Sequence, residues 1–261
     1  MIGTCRLCVA ENADLQNSHI VPKWAYRRVR GRGRYPDSIV LQGGIAAQKS
    51  KQYHEHLLCR ACEALIEPAE RKVATYVYQP GGGAPFNDLV GNVVTATESG
   101  FRFATPGKLS LPDLVHFATS VIWRASVSSI VKNCTLPVEQ SDQFRRYLLG
   151  QESFPDCAAC IVTFYDIPLA DGSEFGALFT LPSTEYPEEG TTVRHTVLIC
   201  GADFDIYVGD ELEGLKESCL ASSAHPLVLL APHRELLQRH GDWLAGHRPA
   251  PGFARRLGSG S

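Results

Sequence analysis

Two C-x-x-C pairs, Cys5-Arg6-Leu7-Cys8 and Cys59-Arg60-Ala61-Cys62, are the residues whose type and spacing most directly imply chemistry. Each pair fits a turn that aims two thiolates at one ion, and zinc takes four such ligands in a tetrahedron at about 2.3 Å. The spacing therefore predicts one structural zinc that staples residues 1 to about 75, a Gly- and Arg-rich stretch with little apolar core of its own. A third pair, Cys157-Ala158-Ala159-Cys160, stands apart. The other cysteines, Cys134, Cys200 and Cys219, are scattered, and the residues after Cys160 read as a strand where a redox motif needs a helix. Buried structural thiols are expected there, with a second metal site as the alternative.

Charge is unevenly distributed. The formal net charge is −3, yet residues 1–80 carry 12 Lys+Arg against 7 Asp+Glu, leaving 13 against 21 for residues 81–261. The positive part centres on Lys23, Arg27, Arg28, Arg30, Arg32 and Arg34, interleaved with Trp24, Tyr26, Gly31 and Gly33. Such a stretch can neutralise phosphates and stack on bases, and it can equally be a solvated basic loop. The acidic part offers no nucleophile–base pair and no phosphate loop. His116 and His195 fall in patterned elements and read as structural, and His233, His240 and His247 form a stripe with no assigned role.

The elements that must position these groups follow from periodicity and punctuation. A helical stretch runs from about Cys62 to Tyr78, with Pro68 expected to kink or restart it. Pro80-Gly81-Gly82-Gly83-Ala84-Pro85 reads as a hinge, since it lacks the Lys-Ser/Thr ending of a phosphate loop. Residues 89–104 suggest a hairpin turning at Glu98-Ser99-Gly100. The clearest helix spans about Leu111 to Lys132, with Ser110 as N-cap, Pro112 in the first turn, and Leu114, Val115, Ala118, Val121, Ile122 and Ala125 on one face. A second helix covers about 138–150 and ends at Gly150. Strand-like runs at 159–165, 175–181, 192–200, 204–208 and 226–231, with turns such as Ala170-Asp171-Gly172-Ser173, suggest an antiparallel sheet. A last helix covers about 233–246.

A chain of 261 residues with 44% hydrophobic content can bury a real core. It shows no run of about 18 apolar residues and no basic-then-apolar leader, so a cytoplasmic address is expected. Nine cysteines in a reducing compartment favour metal ligation over disulfides. Gly258-Ser259-Gly260-Ser261 reads as a leftover of cloning.

One string of residues resembles a family. The first C-x-x-C, then Ser18-His19-Ile20-Val21-Pro22, then His54, then Leu58-Cys59-Arg60-Ala61-Cys62-Glu63, is similar to the HNH endonucleases with a zinc-containing ββα-metal (treble-clef) core. It looks most like a bacterial subgroup with Ser-His-Ile-x-Pro-Lys ahead of Leu-Cys-x-x-Cys-Glu and a later Trp-Arg-Ala-Ser, here Trp123 to Ser126. The core motif covers residues 5–70. The resemblance implies a zinc-bound treble-clef module at 1–79; with the helix and strand patterns above, the whole is expected to be an α+β chain in which a second α+β domain of unknown role at 86–257 carries a long helix and an antiparallel sheet. The resemblance also implies phosphodiester hydrolysis of nucleic acid, DNA ahead of RNA, and suits bacterial restriction or phage defence. His19 would be the general base and Glu63 would hold a catalytic Mg or Mn ion. His54 would orient the base, with His56 as the other candidate. Ser18 departs from the family, standing where a metal-binding Asp is usual. Glu67, a helical turn beyond Glu63, is a possible second carboxylate. The alternatives remain open: His19 as a buried histidine or a zinc-region ligand, Glu63 as a first-turn helix charge, and the whole as a non-catalytic zinc module for nucleic acid or protein. A homodimer through the acidic part is a further expectation.

Overall fold

The computed structural model describes residues 1–29, 39–42, 45–48, 52–79, 85–166, 178–187, 190–238 and 248–249, with backbone alone at 39–42, 45–48 and 248–249. Arg30, Arg32, Arg34, most of the Pro80–Pro85 segment, the Ala170–Ser173 turn, His240, His247 and residues 258–261 lie outside the described residues.

In chain order the elements are β1 (Ile2–Gly3), β2 (Ala13–His19), α1 (Lys23–Val29), β3 (Ile39–Gln42), β4 (Ile45–Gln48), β5 (His54–Cys59) and α2 (Arg60–Val73). After a short 3-10 turn at Pro85–Asp88 come β6 (Val93–Ala96), β7 (Arg102–Ala104), α3 (Leu111–Val127), α4 (Val138–Leu148), β8 (Ala158–Asp166), β9 (Ser183–Glu185), β10 (Val193–Ile199), β11 (Ala202–Val208), α5 (Glu213–Lys216), β12 (Val228–Pro232) and β13 (Arg248–Pro249). Residues 233–238 are also helical, and the rest of the expected last helix lies outside the described residues. The chain is thus a mixed α+β structure.

A small sheet in the order β1-β2-β5 sits beside α2, and a larger one runs β6-β7-β12-β8-β11-β10-β9. The larger sheet is not wholly antiparallel as expected, because β12 pairs parallel with β8. The expected strand at 175–181 reduces, among the described residues, to an isolated bridge between Phe179 and Ile199. The hairpin β6–β7 and its turn, by contrast, stand where the alternation put them.

Helix α2 begins at Arg60, two residues earlier than the pattern suggested, and continues through Pro68. Proline removes the hydrogen bond to the carbonyl of Ala64. Ala64 and Pro68 both face solvent, so water can satisfy that carbonyl and the helix need not break. Helix α3 stops at Val127 instead of continuing to Lys132. Its exit is drawn off by Glu55 on β5, whose carboxylate accepts from Ser128 Oγ at 2.7 Å and from the Ser129 N–H at 2.8 Å. Ser110 occupies the N-cap position of α3 without a side-chain cap; its N–H donates to Tyr76 Oη at 3.0 Å.

The main apolar core runs from Cys5 and Leu7 through Ile20, Leu57 and Ile66 to Phe117, Trp123, Phe164, Phe204 and Leu230, with two smaller clusters around Tyr165 and Leu212. Helix α3 lies at its centre, with its residues from Phe117 to Ala125 all buried. Each large apolar side chain so placed contributes about 1.5–3 kcal/mol relative to exposure. The first 79 residues therefore share their interior with the larger sheet.

Candidate metal centre and neighbouring histidines

The four N-terminal cysteines converge. Their sulfurs all lie within 4.8 Å of one another, and Cys8 and Cys59 approach to 3.8 Å. A tetrahedral zinc thiolate site has sulfurs about 3.8 Å apart, so the cluster fits one ion with little adjustment. Two local conformations build it. In the first pair the Val9 N–H returns to Cys5 O and the Cys5 N–H to Ala10 O, both at 3.0 Å, which curls the chain so that both sulfurs point inward. That curl puts Val9 at φ 55, an unusual angle for a β-branched residue. In the second pair Cys59 is the extended N-cap of α2 and Cys62 lies in its first turn. Both thiols thereby sit at the N-terminal end of α2, on the side of the first pair.

Cys5 is the readiest donor. Burial alone would raise its pKa, but N–H groups of Cys59, Cys8 and Leu7 point at its sulfur and together bring it down to about 7. Burial and the facing thiols push Cys62 the other way. A set of four thiols with one close to ionised at neutral pH suits a cation that displaces the remaining protons.

Beside this cluster β2 and β5 pair antiparallel with Leu15 opposite Cys59, Asn17 opposite His56, Ser18 opposite Glu55 and His19 opposite His54, and the register shifts between Leu15 and Asn17. His19 is half-buried. Its Nε2 lies 2.8 Å from Gln52 Oε1, and its carbonyl accepts from Arg124 Nη1 at 2.7 Å. The His54 ring meets it edge-on, with centroids 5.6 Å apart. Burial, together with His54, Lys23 and Arg124 and against the Gln52 hydrogen bond, pushes the His19 pKa below its ordinary value, so the ring is neutral at physiological pH. His56 faces solvent, with Nδ1 3.2 Å from the Leu15 carbonyl.

Ser18 is 1% exposed. Its hydroxyl donates to the Glu63 carboxylate and accepts the Leu58 N–H at 3.3 Å. Glu63 is thus joined to Ser18 as well as standing in the first turn of α2. Glu67 does not join it: its carboxylate points to an exposed partner, Arg71, at 3.8 Å. Among the described residues, the four cysteines are the one group of three or more His, Cys, Asp or Glu side chains close enough to share an ion, and His19, His54 and Glu63 do not form another.

Of the basic residues, Lys23 and Arg27 are exposed on α1. Arg28 is half-buried, with its guanidinium 4.6 Å over the Trp24 ring and Nη2 donating to Ala74 O at 2.6 Å, which makes it a packing residue. In the third C-x-x-C, Cys160 is fully buried, as expected. Cys157 is half-buried and donates to Gln143 Oε1 at 3.1 Å, and neither joins a metal cluster among the described residues. Burial raises the pKa of both thiols.

Two residues at the site, Gln52 and Arg124, receive no role from the sequence, although Arg124 belongs to the Trp123–Ser126 string. Gln52 carries no pattern of its own. Arg124 does carry one: a lone charge inside the apolar run Val121-Ile122-Trp123-Arg124-Ala125 must find a buried partner, and it finds His19 O and the Glu70 carboxylate.

No protein-family model matches the chain, and neither a curated protein nor a solved structure matches it significantly.

Proposed function

We propose that the chain is a metal-dependent, HNH-like nuclease built on a zinc-held treble-clef ββα core. In this reading β2, β5 and α2 are the two strands and the helix, and zinc at Cys5, Cys8, Cys59 and Cys62 keeps them in register. The observation that carries it is the bond between Glu63, in the first turn of α2, and Ser18, the residue that precedes His19 on β2. Magnesium tolerates sites with one or two protein oxygens, completing its shell with water and substrate phosphate. Glu63 and the Ser18 hydroxyl would hold such a cation, which stabilises the added negative charge of a pentacovalent phosphate. His19, neutral and half-buried, accepts the proton of the attacking water. Lys23 and Arg27 lie exposed on α1, where they can neutralise neighbouring phosphates of the strand.

The test compares wild type with His19→Ala on single- and double-stranded DNA and on RNA, with Mg²⁺, Mn²⁺ or Ni²⁺. Loss of the base should lower the cleavage rate by about 10²–10⁴-fold and leave zinc content and nucleic-acid affinity intact.

A second reading has its own support: a non-catalytic zinc module that binds nucleic acid. No second cluster of ion ligands forms among the described residues. Wild type that binds nucleic acid but cleaves nothing with any of the three cations favours it. No binding at about 50 mM salt removes both readings.

A further inference from the structure

A histidine that takes a proton from water must present a bare nitrogen to it, and the hydrogen bond at the other nitrogen decides which one is bare. His19 has one such bond from a described side chain, between Nε2 and Gln52 Oε1 at 2.8 Å. A glutamine oxygen can only accept, so the ring nitrogen facing it carries the proton. His54, expected to orient the ring, meets it only by an edge-on contact, which cannot select a tautomer.

Gln52 is well placed to act on His19. The next residue, Tyr53, is tied at both backbone groups: its carbonyl accepts the Ile20 N–H and its own N–H donates to Tyr26 Oη, each at 3.0 Å. These bonds hold the chain beside Gln52 against the residue that follows His19. On the other side, Arg124 fixes the His19 carbonyl. Backbone and ring thus have separate anchors.

We infer that Gln52 is the positioning residue of His19, holding Nε2 protonated and leaving Nδ1 as the basic nitrogen. Its functional meaning rests on the hydrolytic role proposed for His19; its structural content does not. A glutamate at this position keeps the acceptor and a leucine removes it at similar volume.

The experiment records long-range proton–nitrogen spectra of the imidazoles in the ¹⁵N-labelled, zinc-loaded full chain, above the ordinary imidazole titration range. His19 is assigned by its loss in His19→Gln, and cleavage is measured on the same samples. Wild type and Gln52→Glu should show the Nε2–H pattern, and Gln52→Leu should show mixed tautomers. If wild type cleaves, Gln52→Leu should lower kcat by roughly 10-fold or more with KM little changed, and Gln52→Glu should recover most of it, since a misoriented base loses rate and little ground-state binding. An inactive wild type whose Nε2–H pattern is lost in Gln52→Leu sinks the nuclease reading and supports the assignment of Gln52. A wild-type ring protonated at Nδ1, or an Nε2–H pattern unchanged in Gln52→Leu, overturns the inference.

Discussion

Arg124 Nη1 donates to the carbonyl oxygen of His19 at 2.7 Å, across 105 residues of chain. The same guanidinium, 1% exposed, bonds the Glu70 carboxylate through Nη2 and Ser120 O through Nε at 3.1 Å. One buried side chain near the end of α3 thereby ties the end of β2 to the C-terminal part of α2. Burial raises the Glu70 pKa, Arg124 opposes that rise, and the net shift remains upward.

Removing only one partner should be costly. Arg124→Met leaves Glu70 facing the core without a counter-charge, and about 3–5 kcal/mol of stability should be lost in urea unfolding. The double variant Arg124→Met, Glu70→Met should recover much of that, because two well-packed apolar groups replace a buried pair at little net cost. A double variant no more stable than Arg124→Met would mean that the bond to His19 O, and not the ion pair, carries the effect.

Zinc content gives a direct check on the cysteine cluster. The purified chain should hold about one zinc per molecule, and Cys59→Ser should lose it. Because Cys5 and Cys62 belong to the core shared with α3 and the larger sheet, the loss should lower the Tm of the whole chain and not merely expose residues 1–75 to protease. Elemental analysis finding no zinc in the wild type counts against the site.

Ser18→Asp places a second carboxylate against Glu63. In chelator the like charges should destabilise the fold, and Mg²⁺ or Mn²⁺ should restore it by binding the folded state only. The readout is Tm with and without cation, and in the nuclease reading the same variant should cleave faster or at lower cation concentration. A Tm indifferent to cation would show that the pair cannot hold an ion even when both groups are carboxylates.

His195, 1% exposed on β10, predicts a pH dependence. Burial brings its pKa down to about 4 from the ordinary 6.5. As pH falls between those values the unfolded chain takes up a proton that the folded chain refuses, so stability declines. Relative to His195→Gln, wild type should lose about 1.4 kcal/mol per pH unit across that window and nothing above it. Parallel stability curves for the two proteins would contradict this.

Features whose cause lies within a few residues were legible in the sequence. The C-x-x-C turns, the apolar face of α3, the β6–β7 hairpin and the end of α4 near Gly150, at φ 69, all belong to that kind. Features set by distant partners were not. The early exit from α3 depends on Glu55, and the pairing of Ser18 with Glu63 spans 45 residues. Glu67 and Glu63 share a helix face in principle, but Glu67 turns to Arg71 because that partner lies one turn away in solvent. Arg28 looked like its phosphate-facing neighbours, yet Trp24 and Ala74 O draw it inward.

The place of β12 bears on how the chain is made. Residues 228–232 lie between β7 and β8, so β6–β7 and the four strands β8-β11-β10-β9 touch as one sheet only through the last strand of that sheet to be synthesised. A nascent chain on the ribosome can fold its cysteine turns and its hairpins early, but the two halves of the larger sheet must wait until residue 232 has cleared the exit tunnel. Until then β7 and β8 both present open edges, the kind of surface on which chaperones and misassembly compete. Premature stops just before Val228 should therefore yield aggregation-prone chains, even though every residue of the cysteine cluster and of the pair His19 and His54 has already been made.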